Sequence, residues 1–185
     1  FKLSRSIVVN SEAVKDHLTG SGISSEKIEV IYNGIDLERL KPEISDRKKI
    51  CEMLGLPSAE DVKFVTLVAN LRHEVKNQPM FLRAAKIILE DFANAHFVIA
   101  GEGELREKLE DLAVELGIFE QVSFLGRCGH VPELLHISDI CTLTSFAERF
   151  SNSILEYMAA AKPVVATDVG GAKELRHRIA FMVEG

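Results

Sequence analysis

Cysteine is scarce in this chain: Cys51, Cys128 and Cys141 are odd in number and lie far apart. They form no CxxC pair, so the sequence predicts neither a structural zinc site nor a disulfide framework. We expect each thiol to be a small apolar core residue in a reducing compartment. The spacing of His, Asp and Glu predicts no metal site either. We therefore expect no bound metal and no resident cofactor.

A net positive charge and long apolar runs are also missing. The formal net charge is -6 over 185 residues, whereas a non-specific nucleic-acid binder needs a basic surface, so we expect no nucleic-acid partner. No apolar run approaches the length of a membrane span, and the opening FKLSRSIVVN is not a signal peptide. The cytoplasm is the expected location, and peripheral association of the full-length protein with the inner membrane stays open.

Two familiar catalytic motifs are absent from the sequence. There is no GxxxxGK[ST] phosphate loop and no GxSxG nucleophile elbow. The first absence argues against a P-loop nucleoside triphosphatase, and the second against a serine hydrolase.

What the chain has is a regular alternation of short apolar runs and amphipathic stretches, with 46% hydrophobic residues. Near-continuous apolar strands that alternate with helices predict an α/β fold: a Rossmann-like parallel sheet with helices on both faces. Ser11 and Ser45 are the expected caps of two early helices, and Gly55 is the expected stop of the second.

In such a sheet, ligands bind at the carboxyl ends of the strands, beside helix N-termini. Six loops rich in Gly, Asn and charge follow the predicted strands and should share that edge. They are NGID, NLRHEVKN, GEGE, GRCGH, SFAERFSN and DVGGAKE.

Glu148 and Glu156 are the first candidate site residues. Glu148 precedes a helix that should begin near Ser151 or Asn152, and Glu156 lies about two turns into it. The free amides of that N-terminus suit a phosphate. Glu148 would face a sugar hydroxyl and Glu156 a diol farther along an extended ligand. The alternative is that Glu156 is solvated or pairs with a lysine.

Other loops supply cations and bare backbone. Arg72 and Lys76 suit a diphosphate, although a solvated loop is equally compatible with them. Gly101 and Gly103 allow close backbone approach, as an ordinary βα turn would also require. Two further glycines, at positions 170 and 171, precede Glu174. Cations, amides and carboxylates along one edge together match the chemistry of a sugar nucleotide.

The ordered motifs VVNSEAVKDHL, VIYNGID, VANLRHEVKN, FVIAGEGELREKL, VSFLGRCGHVPELL and SFAERFSNSILEYMAAAKPVVATDVGGAKEL resemble those of group 1 (family 4-type) retaining glycosyltransferases. That family has the GT-B architecture, in which two Rossmann-like domains face each other across a cleft. The resemblance covers nearly the whole chain and includes the E-x7-E pair formed by Glu148 and Glu156.

The resemblance implies a role for each candidate. The chain would be the C-terminal, donor-binding half of such an enzyme, with its partner the nucleotide-diphosphate sugar and its reaction hexosyl transfer to an acceptor hydroxyl with retained anomeric configuration. The catalytic group would be Glu148 at the donor sugar with Lys76 and Arg72 at the diphosphate. The donor-binding residues would be Glu156 at the ribose, Gly126 and Arg127 at the base, the amides of Phe150, Ser151 and Asn152 at the diphosphate, and Gly101 and Gly103.

The resemblance also divides the chain. Residues 1–42 would be the end of the acceptor domain and the interdomain segment, and residues 43–185 a donor domain truncated at its C-terminus. Because the chain starts with Phe1 and ends on a short apolar run, we expect an excised part of a longer protein. The isolated part, lacking the N-terminal acceptor domain, should not transfer sugar.

Two departures from the family pattern bear on function. Arg149 stands where the family has Gly, so either its side chain points outward or donor choice changes. Ala161 stands where a helix-ending Gly is common, so a left-handed conformation there would be costly. The competing interpretations are a nucleotide-sugar-binding module without transfer activity, for which Arg149 is the motive, and a sugar-nucleotide epimerase or a phosphorylase.

Overall fold

The computed structural model describes residues 4–178 and 181–183, so the first and last few residues of the predicted domains lie outside it. Its strands are β1 Ile7–Val9, β2 Ile28–Val30, β3 Lys63–Val68, β4 Ala95–Ala100, β5 Val122–Gly126, β6 Ile140–Leu143, β7 Val164–Thr167 and β8 Phe181–Val183. Its α-helices are α1 Glu12–Gly20, α2 Arg47–Leu54, α3 Gln78–Asp91, α4 Arg106–Glu115, α5 Val131–Ile137 and α6 Asn152–Ala159. A 3₁₀ helix spans Gly170–Arg178.

Within the described residues, the main sheet has six strands in the order β5-β4-β3-β6-β7-β8. Every pairing in it is parallel, which confirms the predicted α/β fold. The strand order reverses between β3 and β6, and such a switch point is where ligands bind in open parallel sheets.

Helices cover both faces of this sheet, and the side chains of β3 show how. Val65 and Leu67 face one way, into a core shared with α3 and α4. Phe64 faces the other way, into a core shared with α2 and α5. A third core joins β6 and β7 to α6. Apolar side chains on both faces explain why the strands are nearly continuous apolar runs.

A second, two-stranded parallel sheet is formed by β1 and β2. We predicted that all six loops share one edge of a single sheet. This is wrong for NGID, because it follows β2, which belongs to the small sheet. The other five loops follow strands of the main sheet.

Helix ends follow the expected chemistry with one exception. Ser11 caps α1 by accepting a hydrogen bond from the Val14 amide at 3.2 Å, and Gly55 ends α2 in the left-handed conformation with φ 66°. Asp46, not Ser45, caps α2, since its carboxylate accepts from the Lys49 amide. Both side chains are good caps, and a neighbouring pair of them leaves the sequence ambiguous by one residue.

Candidate functional site

The loop after β6 holds Glu148 in a fixed environment. Its carboxylate Oε1 accepts hydrogen bonds from Lys76 Nζ at 2.6 Å and from Ser145 Oγ at 2.5 Å. The Glu148 side chain is 7% exposed and that of Lys76 is 19% exposed. An ion pair shielded to this degree is screened much less by salt than a surface pair. Ser145 was not among the predicted site residues, because nothing local in the sequence shows which acceptor its hydroxyl finds.

Backbone contacts fix the Lys76 turn against the same loop. The Phe146 amide donates to the Val75 carbonyl at 2.8 Å, and Thr144 Oγ1 donates to the Lys76 carbonyl at 3.0 Å. The β3 and β6 loops therefore form one unit at the switch point of the sheet.

Gly170 and Gly171 support this unit through direct backbone contact, and we call these two residues the buttress. A Cβ atom at Gly170 would overlap the Glu148 carbonyl, and one at Gly171 would overlap the Arg149 carbonyl. The Gly171 amide donates to the Glu148 carbonyl at 2.9 Å. These glycines are required because two backbone segments meet directly there. The Gly171 amide is therefore occupied by a backbone carbonyl, in contrast to the ligand-facing role that the sequence suggested for it.

Helix α6 begins at the same loop and is anchored to the end of β3. Ser151 is its N-cap, Ser153 Oγ donates to the Val68 carbonyl at 2.9 Å, and the Tyr157 hydroxyl accepts from the Val68 amide at 2.8 Å. Tyr157 is fully buried. It aligns α6 with the sheet, and sequence reasoning missed it because its partner is 89 residues away.

Glu156 is half-buried on this helix. Among the residues that the structure describes, none donates a hydrogen bond to its carboxylate or forms an ion pair with it. Burial raises the pKa of Glu156. The structure thus disfavours the alternative in which Glu156 pairs with a lysine, and an unpaired carboxylate in a hollow is typical of a binding group.

Two hollows meet at Glu156. One, of about 310 Å³, is shared by Asn70, Gly101, Glu102, Arg127, Cys128, Val131, Ser153 and Glu156 with the ends of β3 and β4. The other, of about 270 Å³, is lined by residues 34–36, Arg39, Leu40, Asn152, Leu155 and Glu156. The NGID loop reaches the site here, since Asn33 Nδ2 donates to Asn152 Oδ1 at 2.8 Å.

The remaining predicted residues are distributed around these hollows. Arg72 is exposed and pairs with Glu102 at 3.1 Å, so its charge is far more solvated than that of Lys76. Gly101 and Gly103 press against the backbone of residues 69–72, where a Cβ atom would collide. Gly126 is left-handed with φ 64°.

The residues after Glu148 complete the edge. Phe150 is buried and contacts the Tyr32 ring at 5.4 Å between centroids. The Phe150 and Ser151 amides find no acceptor within the part of the chain that the structure describes. The Arg149 side chain is exposed, which matches the first of its two predicted alternatives.

The rest of the described structure contains a larger hollow, but no metal site and no membrane-spanning helix. A larger, almost wholly apolar hollow of about 630 Å³ beside α3 shares no residue with the predicted site. Across the described ranges, no group of three or more His, Cys, Asp or Glu side chains is placed to hold a metal ion. No helix within them has both the length and the apolar character needed to cross a membrane.

Comparison with known proteins places the chain in a family. The model described as "Glycosyl transferases group 1" matches residues 52–177, more than half of the chain. The model described as "Glycosyltransferase Family 4" matches residues 1–39.

Individual relatives agree. An uncharacterized glycosyltransferase of Methanocaldococcus jannaschii is 33% identical over 177 residues, 94% of this chain and 45% of the relative. The UDP-Gal:alpha-D-GlcNAc-diphosphoundecaprenol alpha-1,3-galactosyltransferase of Escherichia coli is 32% identical over 148 residues, 78% of this chain and 38% of that protein. The chain thus spans less than half the length of these relatives.

The structural likeness is of the same kind. Anabaena HepE, solved in complex with UDP-glucose, superposes with a TM-score of 0.85 at 28% identity, covering 98% of this chain and 50% of HepE. The solved neighbours are GT-B glycosyltransferases. The chain therefore belongs to the group 1 glycosyl transferases, and its fold matches about half of such a GT-B enzyme.

Proposed function

We propose that this chain supplies the donor site of a retaining glycosyltransferase, which transfers a hexosyl group from a nucleotide-diphosphate sugar to an acceptor hydroxyl. The observation that carries the proposal is Glu156, an unpaired, half-buried carboxylate at the junction of two hollows. A carboxylate in that state is costly unless a ligand supplies hydrogen bonds. Ribose hydroxyls are donors of the right kind, and both would reach one carboxylate.

The rest of the edge suits the other parts of such a donor. Arg127 lines the same hollow as Glu156 and directly follows Gly126, so a base would lie there. The unbonded amides of Phe150 and Ser151 stand at the N-terminus of α6, which favours a diphosphate. Lys76 would contribute a cation to the same diphosphate.

Glu148 lies beside Lys76, where the donor sugar would follow the diphosphate. In the transfer step, the bond between the sugar C1 and the diphosphate oxygen breaks, and a bond from C1 to the acceptor oxygen forms on the same face. The departing oxygen takes the acceptor proton. The chain's own residues position the two reactants and stabilise the negative charge of the leaving diphosphate, so no metal is required.

The runner-up is a nucleotide-sugar-binding module without transfer activity. Arg149 is its motive, because the family places a small residue beside the sugar. The exposed Arg149 side chain leaves the Glu148 loop intact, which favours the enzyme over the module.

Because the chain spans less than half of the relatives quoted above, we expect it to bind donor but not to transfer sugar by itself. Residues 1–42 would then belong to the acceptor half and residues 43–185 to the donor half. Transfer to any acceptor by the 185-residue chain would contradict this division.

Calorimetric titration with UDP, GDP and ADP, and then with their sugar conjugates, tests the proposal without added metal. UDP comes first, because HepE was solved with UDP-glucose. Selective binding of one diphosphate is expected, and the conjugate of the correct sugar should bind more tightly. If none of the diphosphates binds, the donor-site proposal fails for this chain.

A further inference from the structure

Helix α1 has an unusual second cap. Beyond the local Ser11 cap, the Glu174 carboxylate accepts from the Glu12 amide at 3.0 Å and from the Ala13 amide at 2.9 Å. A carboxylate that accepts from two first-turn amides is a strong, charge-assisted arrangement, since it also meets the positive end of the helix dipole. Its two partners are 161 and 162 residues away in sequence, so the contact ties distant parts of the chain.

Glu174 belongs to the 3₁₀ helix that begins with Gly170 and Gly171. Those glycines are seated on the Glu148 and Arg149 carbonyls. A shift of this short helix would therefore be passed to the Glu148 backbone by direct contact, because neither glycine has room to move toward it.

Two further contacts join the loop after β2, the strand that pairs with β1, to the Glu148 loop and the start of α6. The rings of Tyr32 and Phe150 pack at 5.4 Å, and Asn33 donates to Asn152 at 2.8 Å. Partial burial raises the pKa of the Tyr32 hydroxyl, and its hydrogen bond to the Glu174 carboxylate raises it further. The loop after β2 thus contacts Phe150 and Asn152 directly, and α1 is joined through Glu174 to the glycines that support residues 148 and 149.

We propose that Glu174 is a positioning residue that couples helix α1 to the loop carrying Glu148. By fixing α1 against the 3₁₀ helix, it keeps the Gly171 amide on the Glu148 carbonyl. The Glu148 carboxylate is thereby held beside Lys76, in the place where the donor sugar would lie. The significance of that placement rests on the proposed function, whereas the coupling itself does not.

Residue-resolved amide hydrogen exchange in the 185-residue chain tests the coupling. Glu174→Ala should speed exchange of the Glu12 and Ala13 amides, and of the remote Gly171 and Phe146 amides, by about tenfold. Amides in the centre of α3 should be unchanged. Glu174→Gln should give an intermediate effect, because its single carbonyl oxygen replaces one of two acceptors. It also serves if the alanine variant does not fold.

Glu12→Gln is the matched control. It removes an exposed carboxylate from the same helix end but keeps the backbone amide and Glu174, so all four amides should exchange within about twofold of wild type. If Glu174→Ala speeds exchange only at the Glu12 and Ala13 amides, the proposal is overturned, since Glu174 would then be a local cap only. Equally faster amide exchange in α3 of Glu174→Ala would also overturn the proposal, since the substitution would then destabilise the whole fold.

A binding experiment separates this inference from the proposed function. In Glu174→Ala, the affinity for UDP should stay within about twofold, since Glu156 is untouched. The extra affinity of UDP-glucose over UDP should fall several-fold, and Glu174→Gln should restore part of it. Unchanged discrimination would count against positioning of Glu148. If wild type binds neither ligand, the proposed function fails while hydrogen exchange still decides the coupling.

Discussion

Glu148 and Glu156 are eight residues apart and border the same edge of the sheet, yet they are in opposite states. Glu148 is almost fully shielded and satisfied by a lysine and a serine. Glu156 is more open but has no partner within the described part of the chain. The first is a fixed part of the protein, held by long-range contacts. The second is left for a ligand to satisfy, at a cost in stability that binding would recover.

The difference shows how one motif divides two tasks. A group that must keep its place beside a reacting sugar is locked by its own neighbours. A group that must bind and release a nucleotide keeps its hydrogen-bonding capacity free. The following variants test this contrast, in order of decreasing expected effect.

The buttress under Glu148 should tolerate no added atom. Gly171→Ala places a Cβ atom on the Arg149 carbonyl, so we expect a loss of about 3 kcal/mol in the free energy of unfolding, measured by urea denaturation. Gly129→Ala is the control, because a Cβ atom there has nothing within 4 Å. Similar values for both variants would show that the tight contact is not required.

The ion pair of Glu148 with Lys76 should stabilise the fold more than the exposed pair of Arg72 with Glu102. Lys76→Ala leaves a shielded carboxylate with Ser145 alone, and it should lower the free energy of unfolding by about 2–3 kcal/mol. Arg72→Ala, which breaks an exposed pair with Glu102, should cost less than about 1 kcal/mol. The contrast between Glu148 and Glu156 would be weakened if the lysine variant were as stable as the arginine variant.

The helix that carries Glu156 ends under strain. Ala161 is left-handed with φ 54°, which is the conformation that the sequence analysis described as costly without glycine. Ala161→Gly should therefore raise the free energy of unfolding by up to about 1 kcal/mol, visible as a higher thermal midpoint. Ala160→Gly, at φ -79°, should destabilise instead. A loss of stability in both would argue against the strain.

The unpaired Glu156 carboxylate should slightly lower the stability of the fold at neutral pH. Because burial raises the pKa of Glu156, the folded state holds its proton more tightly than the unfolded state, so stability falls as pH rises through the folded pKa. Glu156→Gln should then raise the free energy of unfolding at pH 7 by less than about 1 kcal/mol, since solvent still reaches the group. The gain should vanish below the ordinary Glu pKa. A destabilising effect at pH 7 would reveal a partner for Glu156.

The sequence predicted the architecture well because local patterns determine it. Apolar runs marked the strands of the main sheet, and Ser11 and Gly55 marked helix ends through contacts within a few residues. The errors arose where contacts are long-range. Nothing near NGID shows that β2 pairs with β1 and not with the main sheet. Asp46 and Ser45 are equivalent caps until the helix is built.

The site was predictable in outline only. The spacing of Glu148 and Glu156 drew attention to the right loop, and the roles of Arg72, Lys76 and the loop amides stay predictions. The contrast between the two carboxylates was not visible, because Lys76 is 72 residues from Glu148. Tyr157 and the contacts of Gly170 and Gly171 were missed for the same reason, because their partners meet only in the folded chain. Ser145 is only three residues from Glu148, but a loop serine has many possible acceptors, so the sequence does not show which one it finds.

The most direct measurement is a paired calorimetric titration of wild type and Glu156→Ala with UDP and with 2′,3′-dideoxy-UDP. We predict that wild type prefers UDP, that the variant loses this preference, and that the two proteins bind the dideoxy analogue almost equally. If the variant weakened both ligands to the same extent, or if wild type did not distinguish them, Glu156 would not hold ribose hydroxyls, and the assignment of this edge as a donor site would be contradicted.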